Sequence, residues 1–176
     1  MGKVSLFIAV SVDGFIADEA GQVTWISGQR KDQEIPDTYQ DYMADVSTII
    51  MGNKTYQQVT TTLSPDNWPY TGYKTYVLTH KAKQNLSEIT FSARSPAELV
   101  KELKETQTGK IWICGGASIA QALQKADLID EYYLTVIPVI LGKGIRLFSD
   151  SGLPTNLNLS QTTTYNGIVE LKYEKR

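Results

Sequence analysis

Ile111-Trp112-Ile113-Cys114-Gly115-Gly116-Ala117-Ser118-Ile119 is the stretch whose reading decides the fold. A short continuous apolar run of this kind suits a strand covered on both faces. Two glycines follow, and Ile119, Ala122, Leu123 and Ala126 then recur as one face of a helix. Glycines let a ligand approach the backbone, and free N–H groups at a helix start attract phosphate. A tight strand-to-helix turn with no ligand explains the local pattern equally well. The glycine spacing is not the usual dinucleotide fingerprint, and no P-loop motif is present.

Toward the N-terminus the same alternation repeats. Val4, Leu6, Ile8, Val10 and Val12 alternate as a strand, broken by Asp13-Gly14. Pro36 suits the first turn of a helix, with Tyr39, Tyr42, Met43 and Val46 on its buried face. Thr48-Ile49-Ile50-Met51 is a second covered strand ended by Gly52, and Lys54 to Val59 predicts a short helix. Thr60 to Gly72 reads as loop, and Tyr76-Val77-Leu78-Thr79 as a strand. Ser95-Pro96-Ala97-Glu98 is a capping box with proline at the first helical position, and Leu99, Val100 and Leu103 face inward.

Toward the C-terminus, Tyr132 to Ile140 predicts a strand with Pro138 inside it, hence near an edge or bulge. Asn166-Gly167 is a strong hairpin signal before the alternating Val169, Leu171 and Tyr173. Strands and helices alternate through Leu128, after which strands dominate. That order implies an α/β protein: a mostly parallel central sheet with helices on both faces, finished by antiparallel strands. Repeats, low-complexity tracts and linkers are absent, so residues 1–176 read as a single domain.

Composition narrows the function classes. Hydrophobic residues make up 41% and charged residues 20% of the 176, and the net charge is -2. No basic field invites nucleic acid, and no polybasic or long apolar run invites a membrane. Cys114 is the only cysteine and His80 the only histidine, which excludes an internal disulfide and a histidine-based metal cluster. With no signal-peptide layout at the N-terminus, the expected compartment is the cytoplasm.

Three strand ends carry phosphate-friendly groups: Gly115-Gly116, then Gly52-Asn53-Lys54-Thr55, then Thr79-His80-Lys81. Taken singly, Lys54 is a solvated residue and Thr79 to Lys81 an ordinary polar turn. Together they fit ligand binding beyond the carboxyl ends of parallel strands. Asp13, before Gly14, is first of all a turn former; the functional reading makes its loop a lid, with Asp13 facing a substrate. Trp25 suits either a pocket wall or a core plug. Asp37 suits the positive end of its helix. Cys114 ends a buried strand and reads as core, not as a nucleophile.

Four segments in order resemble the dihydrofolate reductase-like superfamily: Ser11 to Ala17, Ile50 to Tyr56, Trp112 to Ser118, and Asp130 to Gly144. The last is more similar to the reductase domain of the bifunctional riboflavin-biosynthesis deaminase/reductase, and the whole chain to stand-alone bacterial members of that group. The resemblance implies a three-layer α/β/α sandwich and NADPH as cofactor. It places the pyrophosphate at Gly115, Gly116, Ala117, Ser118 and Ile119, and the adenosine side at Gly52, Asn53, Lys54 and Thr55 beside Thr79, His80 and Lys81. Ala9, Val10 and Ile16 would pack near the nicotinamide. Trp25, Asp13 and Asp37 would border the substrate, the two carboxylates being the catalytic candidates.

This sequence departs from the family's pattern at two points. Asn53 stands where the family usually has arginine, which weakens a ribose 2′-phosphate site and leaves Lys54, His80 or Lys81 to compensate. Asp37 is offset by one residue from the pterin-binding carboxylate of dihydrofolate reductase. The expected activity is hydride transfer from NADPH to a small heterocyclic, carbonyl or imine substrate, such as a 5-amino-6-(5-phosphoribosylamino)uracil-like ring. A true dihydrofolate reductase and a nucleotide-binding sensor without turnover are the alternatives. A homodimer is expected through the apolar run from Tyr132 to Ile140, as in the related reductase domains.

Overall fold

The structure, a computed structural model, describes residues 1–33, 36–81, 83–149 and 154–176. Eight strands form one sheet. In chain order they are β1 (Lys3–Ser11), β3 (Val46–Gly52), β4 (Lys74–Leu78), β5 (Ile89–Ser92), β6 (Lys110–Gly115), β7 (Glu131–Ile137), β9 (Leu157–Tyr165) and β10 (Ile168–Lys175). Across the sheet the order is β5-β4-β3-β6-β1-β7-β10-β9. The pairs from β5 to β7 are all parallel; β10 runs antiparallel to β7 and to β9. A two-stranded sheet joins β2 (Phe15–Ala17) to β8 (Ile145–Arg146).

Helices cover both faces, as the apolar strands require. On one face α3 (Pro96–Thr106) and α4 (Ala117–Lys125) bury Leu99, Val100, Leu103, Ile119 and Leu123 against Val4, Leu6, Ile50, Ile111 and Ile113. On the other, α1 (Thr38–Met43) and the chain that follows α2 (Asn53–Gln58) cover an aromatic surface. There Phe7 lies 4.3 Å from Tyr42 and 4.7 Å from Tyr133, ring centre to ring centre, and Tyr70 meets Trp112 edge-on at 5.5 Å. Neighbouring strand residues such as Ile49 and Ile50 go to opposite cores, which is why the strands read as continuous apolar runs.

Most local expectations match. Ser95 and Glu98 form the capping box, and Asn166 (φ 47°) and Gly167 (φ 77°) make the two-residue hairpin turn. The differences have local causes. Val46 opens β3 instead of closing the face of α1. Ala126 lies exposed beyond α4, and Ala120 takes its place in the core. Residues 60–63, expected as loop, continue α2 with Val59 as a π-helical turn. There the Thr60 and Thr61 hydroxyls donate back to the Tyr56 and Gln57 carbonyls, competing with regular helix bonds. β5 escaped notice because four residues are too few to show a period.

The larger correction concerns β7. It ends at Ile137, so Pro138 lies outside it, and it is an interior strand paired to β1 on one side and β10 on the other. Tyr132, Tyr133 and Ile137 of the apolar run are buried within the sheet, while Ile140, beyond the end of β7, is exposed. The free edge on that side is β9, whose side chains are mostly exposed and polar. Among the described residues no helix is long and apolar enough to cross a membrane.

Candidate functional site

The adjacent parallel strands β3 and β6 send their chains to opposite faces of the sheet. β3 leaves through Gly52 into α2 on the aromatic face, while its neighbour β6 leaves through Gly116 into α4 on the other. In an open α/β sheet this divergence leaves a crevice at the carboxyl ends of the strands, where ligands bind.

Glycines shape the crevice. Gly116 has φ +99°, which a side chain would strain, and a Cβ there would stand 3.7 Å from the Gly52 nitrogen and 3.5 Å from Ile119 Cδ1. At Gly115 a Cβ would press to 3.1 Å from Thr55 Oγ1, so its absence lets the two turns close together. Thus Gly52, Thr55, Gly115, Gly116 and Ile119, distant in sequence, line one cradle. Neither α2 nor α4 has a side-chain cap or an acidic residue in its first turn. The first N–H groups of α4, with Ala117 and Ser118, are left for another acceptor. These residues fit the phosphates of a dinucleotide.

The remaining cofactor candidates flank the cradle. Lys54 is exposed, as are His80 and Lys81; Thr79 anchors its turn by accepting from the Lys81 N–H at 3.1 Å and donating its own N–H to Ser92 O. Asn53 accepts from Lys83 Nζ at 2.8 Å. Lys83 was not among the residues expected here: it lies in a polar loop with no motif around it. Ala9 and Val10 lie opposite Thr135 and Val136 near the carboxyl ends of β1 and β7, and Ile16 packs against the core from β2.

Among the described residues, no substrate-side candidate forms a hydrogen bond with another. Asp13 is held by the loop: its carboxylate accepts from the Ser11 hydroxyl (2.7 Å) and the N–H groups of Leu141 (3.1 Å) and Gly142 (2.7 Å). These bonds, the Ser11 one foremost, keep its carboxyl below the usual range. Asp37 is exposed and caps α1, accepting from the Gln40 N–H at 3.2 Å. Trp25 donates to Gln22 O at 3.2 Å within its own turn. Burial pushes the Cys114 thiol up to about 12, beside the Tyr70 hydroxyl, so it is no nucleophile at neutral pH.

On the aromatic face, α1 and the Pro69–Tyr73 segment enclose a cleft of about 440 Å³, lined by Tyr39, Gln40, Met43, Ala44, Pro69 and Tyr73. Beside α1 lies a carboxylate that the sequence reading missed. Glu170, 2% exposed, accepts from the hydroxyls of Thr38, Tyr165 and Tyr133. It sits opposite Thr135, which is itself opposite Ala9.

Sheet order, crevice and cleft together define a protein of the dihydrofolate reductase-like α/β class. The chain belongs to the RibD C-terminal domain family, which it matches over residues 2–170. It is 37% identical over 172 residues to the uncharacterized protein YwjB of Bacillus subtilis (strain 168), covering 97% of each chain. Among solved structures it is similar to a Shewanella sp. PV-4 protein provisionally assigned to riboflavin biosynthesis, with a TM-score of 0.85 at 24% identity and 99% of each chain covered. It is also similar to the dihydrofolate reductase of Enterococcus faecalis complexed with NADP(H), with a TM-score of 0.64 at 16% identity, covering 99% of this chain and 96% of that one.

Proposed function

We propose that the protein is an NADPH-dependent reductase of a small heterocyclic, carbonyl or imine substrate. The observation that carries this reading is the cradle of Gly52, Gly115 and Gly116, where the neighbouring strands β3 and β6 diverge. The solved complex of the Enterococcus faecalis enzyme with NADP(H) supports the same choice of cofactor. The cofactor, when bound, supplies a hydride from its C4 position.

This chain's own part is binding and alignment, which is most of what such a transfer needs. The α4 N–H groups and the Gly116 backbone hold the pyrophosphate, and Ala9, Val10 and Ile16 border the reacting end. Asp13 is held ionised by the Ser11 hydroxyl and by the Gly142 and Leu141 N–H groups, so it fixes the loop and delivers no proton; Asp37 is an exposed cap of α1. Water supplies the proton to the reduced atom.

The test is Gly116→Val. The variant should keep the far-UV circular dichroism of the parent and lose at least about ten-fold in NADPH affinity, roughly 1.4 kcal/mol. A folded variant with unchanged affinity contradicts the reading.

A further inference from the structure

β1 and β3 flank β6 in the sheet, and a short turn of chain bridges the two across the end of β6. It arrives from the β1 side, where β2 pairs with β8 as far as Ala17. It is held from the β3 side, where Gln58, the last residue of α2, donates its amide to the Gly21 carbonyl at 3.0 Å. Residues 18–22 form this turn as a unit. The Asp18 carboxylate accepts from the Ala20 and Gln22 N–H groups at 2.9 and 2.8 Å, and the Gly21 N–H donates to Asp18 O. Gly115 and Gly116 lie at the end of β6, so the turn passes over the crevice.

The two supports of the turn differ. Gln58 stands on a fixed base, since Val59 beside it is 3% exposed and part of the core. The turn itself has little to hold it. No side chain from residue 18 to 28 is buried, and the chain is next tied down where the Gln29 N–H donates to Asn166 O at 2.9 Å. Glu19 pairs with Lys143 at 2.6 Å, but both are exposed, and such a pair contributes little. Among the described residues the Gln58 bond is therefore the one hydrogen bond joining residues 18–28 to the β3 side. A segment with few buried contacts opens locally at small cost. One hydrogen bond changes how often it opens by a factor of about two to ten. We infer that Gln58 is a latch: its amide holds the 18–22 turn across the crevice in the ligand-free protein, and a ligand enters and leaves by breaking that bond. The latch regulates the cofactor crevice proposed above and rests on that reading.

The latch is read first without any ligand. Relaxation-dispersion NMR on the full chain should show μs–ms exchange at residues 19–23, with a minor open state whose population rises about three- to ten-fold in Gln58→Ala. Gln58→Glu, which has no amide to donate, should match it. Stopped-flow mixing with NADPH then reads the gate. Association and dissociation rates should both rise at least about three-fold in the two variants, with Kd within about two-fold of the parent. Unchanged dispersion in both variants, or rates equal to those of the parent, overturns the latch. So does a rise in the dissociation rate alone, which is the mark of a residue that merely contacts the ligand. A parent that does not bind NADPH overturns the cofactor site, and the ligand-free dispersion still decides the latch.

Discussion

Tyr133 donates its hydroxyl to Glu170 Oε2 at 2.8 Å, across the pairing of β7 with β10 and beneath α1. Thr38 and Tyr165 complete the set on Oε1 at 2.9 and 2.7 Å, so one buried carboxylate ties the start of α1 to the C-terminal hairpin. No lysine or arginine forms an ion pair with Glu170 among the described residues; three hydroxyls carry the solvation that water has given up.

Glu170→Ala should therefore destabilise the protein by roughly 3 kcal/mol, by leaving buried hydroxyls without an acceptor and a void behind them. Thr38→Val removes one donor and should cost about 1 kcal/mol. Urea unfolding curves measure both. If Glu170→Ala is as stable as the parent, the carboxylate does not hold α1.

Glu131 predicts an acid limit. It is buried between the Ser5 hydroxyl (2.8 Å) and the ammonium groups of Lys3 (3.1 Å) and Lys172 (3.3 Å), with Lys110 at 3.9 Å. Burial opposes ionisation, but these donors and charges outweigh it and hold the carboxyl below its ordinary 4.5. A depressed carboxyl stabilises the fold above the unfolded pKa and loses that contribution as pH falls through the folded one. Glu131→Gln should lower stability at pH 7 by about 1–3 kcal/mol, and the gap should close progressively below pH 4.5. Thermal melts from pH 7 to pH 3, with pH varied in about half-unit steps, follow it; a gap independent of pH rejects the assignment.

Gly167→Ala tests the hairpin tip. Gly167 has φ +77°, and a Cβ there would run into the Gln29 side chain. Its neighbour Asn166 accepts from the Gln29 N–H with its carbonyl and exchanges side-chain bonds with the Arg30 backbone at 2.8 and 2.7 Å. The substitution should cost about 1–2 kcal/mol from the left-handed backbone alone. It should also speed proteolysis near Arg30. An unchanged melting temperature and cleavage rate count against the docking of that loop.

Much of the fold is local and was legible. Period-two and continuous apolar runs mark β1, β3, β6 and β10, because a strand's neighbours determine which side chains meet water. Glycines at 115, 116 and 167 mark turns that a Cβ would hinder by crowding or strain, and Gly52 marks the end of β3. The capping box at Ser95 involves four consecutive residues and needs nothing else.

What the sequence by itself determined is thus each strand, helix and glycine turn whose cause lies within a few residues, and with them the alternation that makes a parallel sheet. Only the tertiary structure decided that β7 is interior, because its partners β1 and β10 are chosen by the paths of the connections and not by β7's own composition. The same holds for the site's less expected groups. Lys83 reaches Asn53 from 30 residues away, and Glu170 reaches Thr38 from 132. Such pairs leave no periodic trace, since each is a single side chain whose partner is selected by sheet order. Conversely Asp13 and Asp37, conspicuous in the sequence, turned out to spend their oxygens on nearby or loop N–H groups. A carboxylate's acceptors are satisfied by whichever donors the fold brings within reach, and composition alone cannot say which those are.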